Sequence, residues 1–199
     1  MPSLKKTVVA EQKPTPRPAV VKTTPAKDEF MKTKNVGDSR NIIEQYAKSG
    51  AKDVFMEVPE NGFMLKRADD SYEAVIRFNF QTLQNFKQTG FGSYYLDSSK
   101  FLGLIVIILN GVFNQRCKEY KASKENFPKP VFEDEKPVKN SDKYRYFAIF
   151  PGKKAGLIMV RYIERDTKTN KQTLNVQIPF EEDIFYGKMM KIYQEMQKK

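Results

Sequence analysis

Between Asp142 and Lys199 apolar and polar residues alternate with the two-residue period of β-strands before the period lengthens to that of a helix. The segments run YRYFAIF, PGKKAG, LIMVRYIE, DTKTNK and TLNVQI, then a helix from about Phe180. Such a sheet buries one face, and here basic and aromatic residues fall where it would be open. A similar strands-then-helix order precedes it, ending in a helix after Leu96. The expected class is α+β, with two antiparallel sheet-plus-helix repeats, about 52–120 and 142–199, in one nucleic-acid-binding domain over 37–199.

Charge narrows the partners. The chain has 35 Lys and Arg against 24 Asp and Glu, a net charge of +11, enough to attract a phosphate backbone. A well-solvated surface would give the same count. Histidine is absent, which removes the commonest general base and metal ligand. One cysteine, Cys117, allows no internal disulfide and no ordinary zinc site. Its place on a helix suits a structural thiol. Without histidine there is no Ser-His-Asp or Cys-His machinery, and no carboxylate motif replaces it. The chain is therefore read as a non-enzyme, with no cofactor and no metal.

The longest apolar run, Phe101 to Leu109, is far short of the roughly 20 residues that span a bilayer, so no membrane partner is expected. No apolar leader is visible, which points to an intracellular site, cytoplasm, nucleoid or host cell interior, rather than secretion. The Lys, Phe and Asn bias suits an AT-rich coding sequence, such as a viral one.

Residues 1–36 read as a disordered tail rich in Lys, Thr and Pro, without apolar periodicity. Asp38 or Ser39 is placed to cap a short helix through Ile42, Ile43, Tyr46 and Ala47. Val54 to Val58 and Phe63 to Arg67 read as strands about an Asn61-Gly62 hairpin turn. Tyr72 to Phe80 alternates, with Ile76, Phe78 and Phe80 on its core face, and Ser93 to Leu96 is a fourth strand. Asp97 or Ser98 caps a helix over about Ser99 to Tyr120, apolar nearly all round in its first half, which calls for cover from a second sheet or subunit. Lys121 to Asp142 reads as a charged connector. The last helix sets Phe185, Met189, Ile192 and Met196 at helical spacing.

The two halves align loosely. AVIRFNF from Ala74 corresponds to IMVRYIE from Ile158, which puts Arg77 and Arg161 in the same place. YYLDSSKFLGLI from Tyr94 corresponds to VQIPFEEDIFYGKM from Val176. Any two amphipathic strand–loop–helix units share some of this pattern.

GKKAGL, Gly152 to Leu157, resembles the Lys-Gly-Lys-Ala-Ala-Leu turn of the Whirly family of single-stranded DNA-binding proteins. Thr167 to Phe185 resembles the family's loop, strand and helix entry. The transcriptional positive coactivators and kinetoplastid guide-RNA-binding proteins are relatives of that family. The resemblance covers roughly Lys52 to Lys199. Pro151 departs from it, standing where these proteins often have Lys, and the chain has no Trp. What the resemblance implies is a pair of antiparallel sheets, each backed by a helix, assembled as a homotetramer through the helices, with single strands crossing the sheet edges.

The candidate binding residues are Lys66, Arg67, Arg77, Tyr144, Arg145, Tyr146, Phe150, Lys153, Lys154 and Arg161. Cations follow phosphates and ring faces stack on unpaired bases. The competing reading is structural: alternation buries about half of any strand, and Lys66, Arg67, Lys153 and Lys154 also suit the protection of sheet edges. Phe78 belongs with Ile76 in the core. Phe150 and Tyr144, at strand ends near Lys143, Lys153 and Lys154, are the better contacts. The leading expectation is a sequence-tolerant single-stranded DNA-binding protein, an oligomer acting in replication, recombination or transcription. The alternatives are an RNA-binding or annealing factor on the same fold, or a structural or assembly protein.

Overall fold

The computed structural model describes residues 40–49, 52–66, 69–85, 87–123, 128–138, 141–152, 154 and 156–198. The chain divides into units Met1–Met31 and Lys32–Lys199, and every described residue lies in the second. The expected tail, Arg67 and Lys153 fall outside the described residues.

The architecture is α+β, with two antiparallel sheets and helices that follow the last strand of each. The first sheet holds β1 (Asn41–Ser49), β2 (Lys52–Pro59), β3 (Met64–Lys66), β4 (Tyr72–Gln84) and β5 (Lys87–Asp97). After α1 (Ser98–Leu109) and α2 (Val112–Ala122) comes the second, ordered β6 (Phe132–Pro137), β7 (Lys143–Pro151), β8 (Leu157–Asp166) and β9 (Gln172–Glu181). The last element is α3 (Glu182–Gln197).

Four expectations are corrected by these elements. The helix expected near Ile42 is the strand β1, paired antiparallel to β2 with Glu44 opposite Glu57 and Tyr46 opposite Phe55. Nine residues cannot sustain a helix alone, and pairing along β2 gives this segment a ladder of backbone bonds instead. Asn61-Gly62 does not turn a hairpin. β5 covers one edge of β4 from Val75 to Gln84, so β2 and β3 share the other edge. The turn between them stays on that edge, where Gly62 O accepts from Arg77 N at 2.8 Å and Phe63 O from Val75 N at 3.1 Å.

The long helix expected after Ser99 is two helices, bent by 70°. Asn110 ends the first, and Gly111 takes φ 67°, a left-handed turn that a side chain would strain. Asp97 sits at the cap position but makes no capping bond. Its carboxylate reaches Lys136 at 3.4 Å instead. Finally, the connector contains β6. That strand is an edge, charged and ending in Pro137, the composition that keeps edges from pairing with other chains.

The core lies where the inner faces of the two sheets meet. Phe78 stacks on Phe147 at 5.1 Å, Phe80 on Tyr162 at 4.7 Å and Tyr94 on Phe147 at 5.3 Å. α1 adds Phe101, Leu104 and Ile105, and α3 adds Phe185, Met189 and Ile192. Cys117 is a buried thiol on α2, outside any disulfide. The repeat is visible in the register: Arg77 pairs Tyr95 next to Phe78·Tyr94, as Arg161 pairs Gln177 next to Tyr162·Val176. Each helix then buries its fourth residue, Phe101 or Phe185.

Polar bonds also join the halves. The Tyr94 hydroxyl donates to Asp134 on β6 at 2.6 Å, and Lys100 at the start of α1 pairs with the same carboxylate. Burial, then the Asp134 bond, pushes the Tyr94 phenol far above its ordinary range. Asp134 is thereby a buried carboxylate with a donor on each oxygen, as burial of a charge requires.

Candidate nucleic-acid interface

Alternation along β7 sorts its side chains. Arg145, Phe147 and Ile149 point to the core, and Tyr144, Tyr146, Ala148 and Phe150 to the outer face. On β8 the outward set includes Met159, Arg161, Ile163 and Arg165. The register sets Tyr144 opposite Arg165, Tyr146 opposite Ile163, Ala148 opposite Arg161 and Phe150 opposite Met159. Two tyrosine rings and two guanidinium groups therefore share one sheet face.

Strand β6 holds the rings in place. The Tyr146 hydroxyl donates to Glu133 at 2.9 Å. Burial first, then this bond, pushes its phenol well above the usual range. Tyr144 leans the same way, and the hydrogen bond to Glu135, with some burial, pushes its phenol up to about 12. Both phenols thus stay protonated at any ordinary pH. Arg161 has its Nε buried with no acceptor among the described residues. Between these groups runs a groove of about 300 Å³, lined by Glu135, Tyr144, Tyr146, Arg161, Ile163 and Arg165. Ala148, opposite Arg161, is fully buried beneath that face.

The structure separates the other expected residues. Arg145 points inward, where its Nε donates to Glu164 at 3.2 Å and Lys143 donates to the same carboxylate at 2.7 Å. Burial alone would raise the Glu164 pKa, but those two cations outweigh it and hold the carboxyl below its ordinary value. Arg77 is buried in the first sheet, donating from Nη2 to Asn61 at 2.6 Å. Lys66 ends β3 and pairs with Asp70 at 2.6 Å. Lys154 is exposed in the turn after β7, and Phe150 is half-buried on the outer face of that strand. Tyr144, Tyr146 and Arg161 meet in the groove, Phe150 lies farther along the same face, and Lys66, Arg77 and Arg145 lie elsewhere.

Sequence reasoning missed Glu135, Ile163 and Arg165. Arg165 carried a usable signal, since residues 161, 163 and 165 share a face by the strand period. Glu135 carried none, because its strand read as connector.

The outer face of the first sheet differs in chemistry. Asn79 donates to Glu57 at 2.9 Å, Asn41 donates to Glu57 at 3.0 Å, and Ser93 donates to Asn79 at 2.8 Å. Amides, a hydroxyl and a carboxylate bond one another there, although Asn41 Oδ1 is buried with no partner among the described residues. Among the described residues no His, Cys, Asp and Glu side chains gather as metal ligands would. No single helix among them is long and apolar enough to cross a membrane.

No family model matches the chain, and no curated protein does. Among solved structures, the chain is similar to three plant proteins. WHY1 from Arabidopsis thaliana is 7% identical with a TM-score of 0.48, over 77% of this chain and 82% of that one. WHY3 from the same plant is 10% identical with a TM-score of 0.47, over 77% and 86%. The plant transcriptional regulator PBF-2 is 10% identical with a TM-score of 0.48, over 77% and 80%.

Proposed function

We propose that this chain is a sequence-tolerant single-stranded DNA-binding protein that acts as a homo-oligomer in replication, recombination or transcription. The observation that carries the reading is the groove on the second sheet, which the Tyr144 and Tyr146 rings line together with the Arg161 and Arg165 side chains. Ring faces stack on any unpaired base, worth roughly 1–3 kcal/mol each, and guanidinium groups take the phosphates between them. A duplex keeps its bases stacked on one another and has no face to give these rings. Phe150 and Lys154 extend the track toward the turn after β7.

The test is a competition among a single-stranded DNA, the same sequence as RNA, and its duplex. Single-stranded DNA is expected to bind tightest, with affinity falling as salt rises because phosphate contacts release counterions. Equal affinity for duplex and single strand sinks the reading. Tighter binding of RNA moves it to an RNA-binding factor on the same groove.

The oligomer rests on α1. Leu102, Val106 and Leu109 are 39%, 54% and 65% exposed, and at this spacing they form one apolar stripe. A second copy covering this stripe, within a homotetramer, is the proposed assembly. Val106 takes no part in the protomer's own core, so Val106→Asp is expected to leave the melting temperature of the fold and lower the mass measured by light scattering. A wild-type monomer at micromolar concentration refutes the assembly.

A further inference from the structure

We propose that the groove on the second sheet seats one unpaired guanine, so that an otherwise sequence-tolerant strand is held in a preferred register wherever it offers that base. The proposal rests on the single-strand reading above. Its motive is Glu135. A carboxylate in a groove meant only for phosphates weakens the attraction it lines, since like charges repel. Glu133, its neighbour two residues back, is engaged by the Tyr146 hydroxyl at 2.9 Å. Glu135 lines the groove itself, with Arg161 and Arg165 among the opposing walls. It steadies the Tyr144 phenol, yet a carboxylate has two oxygens and about four acceptor sites, so one bond leaves it able to accept more.

The groove therefore offers an acceptor pair, guanidinium donors and ring faces within one space of about 300 Å³. Guanine matches all of these together. Its N1–H and N2 amino group lie side by side on one edge and donate in parallel to both oxygens of a carboxylate. Its O6 and N7 lie on the next edge and accept a guanidinium fork, the commonest base-specific contact of arginine. Thymine gives a carboxylate one N–H set between two carbonyl oxygens that repel it. Adenine and cytosine put a ring-nitrogen lone pair beside their amino group.

The test measures binding of the full chain to four thymidine strands of equal length: one unmodified, and three with a central guanine, hypoxanthine or adenine. Hypoxanthine keeps O6, N7 and N1–H and lacks the amino group, so it isolates the second bond to the carboxylate. The wild-type chain is expected to bind the guanine strand at least about fivefold tighter than the hypoxanthine strand, a low figure for one hydrogen bond to a charged group. In Glu135→Gln, which keeps an acceptor for Tyr144, the ratio is expected to fall to near one. Equal binding of the two strands by the wild-type chain overturns the proposal, and so does a wild-type ratio that survives in Glu135→Gln. Failure of all four strands to bind overturns the single-strand reading instead. The melting temperature of the variant checks that the lost ratio is not lost fold.

Discussion

Truncating Phe147 to alanine is expected to cost roughly 3–5 kcal/mol of folding free energy, a large part of what holds a domain of this size together. The ring is 1% exposed and touches both sheets, with Phe78 at 5.1 Å, Tyr94 at 5.3 Å, Phe80 at 6.1 Å and Phe132 at 6.2 Å. No neighbour can collapse into the space, because each is a ring held by its own strand. Phe150→Ala, three residues along on the outer face, removes the same atoms from a half-buried site and should cost much less. Urea unfolding of both variants makes the comparison. A loss at Phe147 below about 1 kcal/mol would mean that the ring ladder is not the centre of the core.

Replacing Tyr144 or Tyr146 with alanine is expected to weaken single-strand binding by about 5- to 150-fold each, the equivalent of one stacked base. The salt slope should hardly move, since stacking is not ionic. On a strand of thymidine alone, Arg161→Ala should act the other way, lowering the slope by removing a phosphate contact. Tyr→Phe at either position keeps the ring and loses the bond to β6, so an intermediate effect measures what Glu133 and Glu135 contribute by holding the rings still. Affinities for a thymidine strand at several salt concentrations supply all of these readings. Unchanged binding in both alanine variants would move the interface off this face.

The second half of the fold was legible because each of its strands carries its own alternation. β7, β8 and β9 need no partner to be recognised, and α3 starts with Glu182 and Asp183, where the helix dipole favours acids. β1 and β6 were not legible, and for one reason. Both are edges whose inner residues make sense only beside a partner: Ile43 against β2, Asp134 against Tyr94. The break at Asn110-Gly111 was within reach, since that dipeptide interrupts an apolar run. In the site, the strand period by itself separates Arg145 from Tyr144 and Tyr146, and weighing residue type above position joined them. Glu135 depends on cross-strand register, which pairs residues that a single sequence never sets side by side.

The core divides along the order in which the chain is made. Phe78, Phe80 and Tyr94 belong to the first sheet, and their stacking partners Phe147 and Tyr162 belong to the second. Lys100 and Tyr94 also wait for Asp134. On the ribosome, β1 to β5 emerge with no cover for their inner face until β7 and β8 follow. Such late, long-range closure slows folding and leaves open sheets to pair with one another. Crowded polysomes, where nascent copies lie side by side, are therefore the place where this chain is most exposed to misassembly.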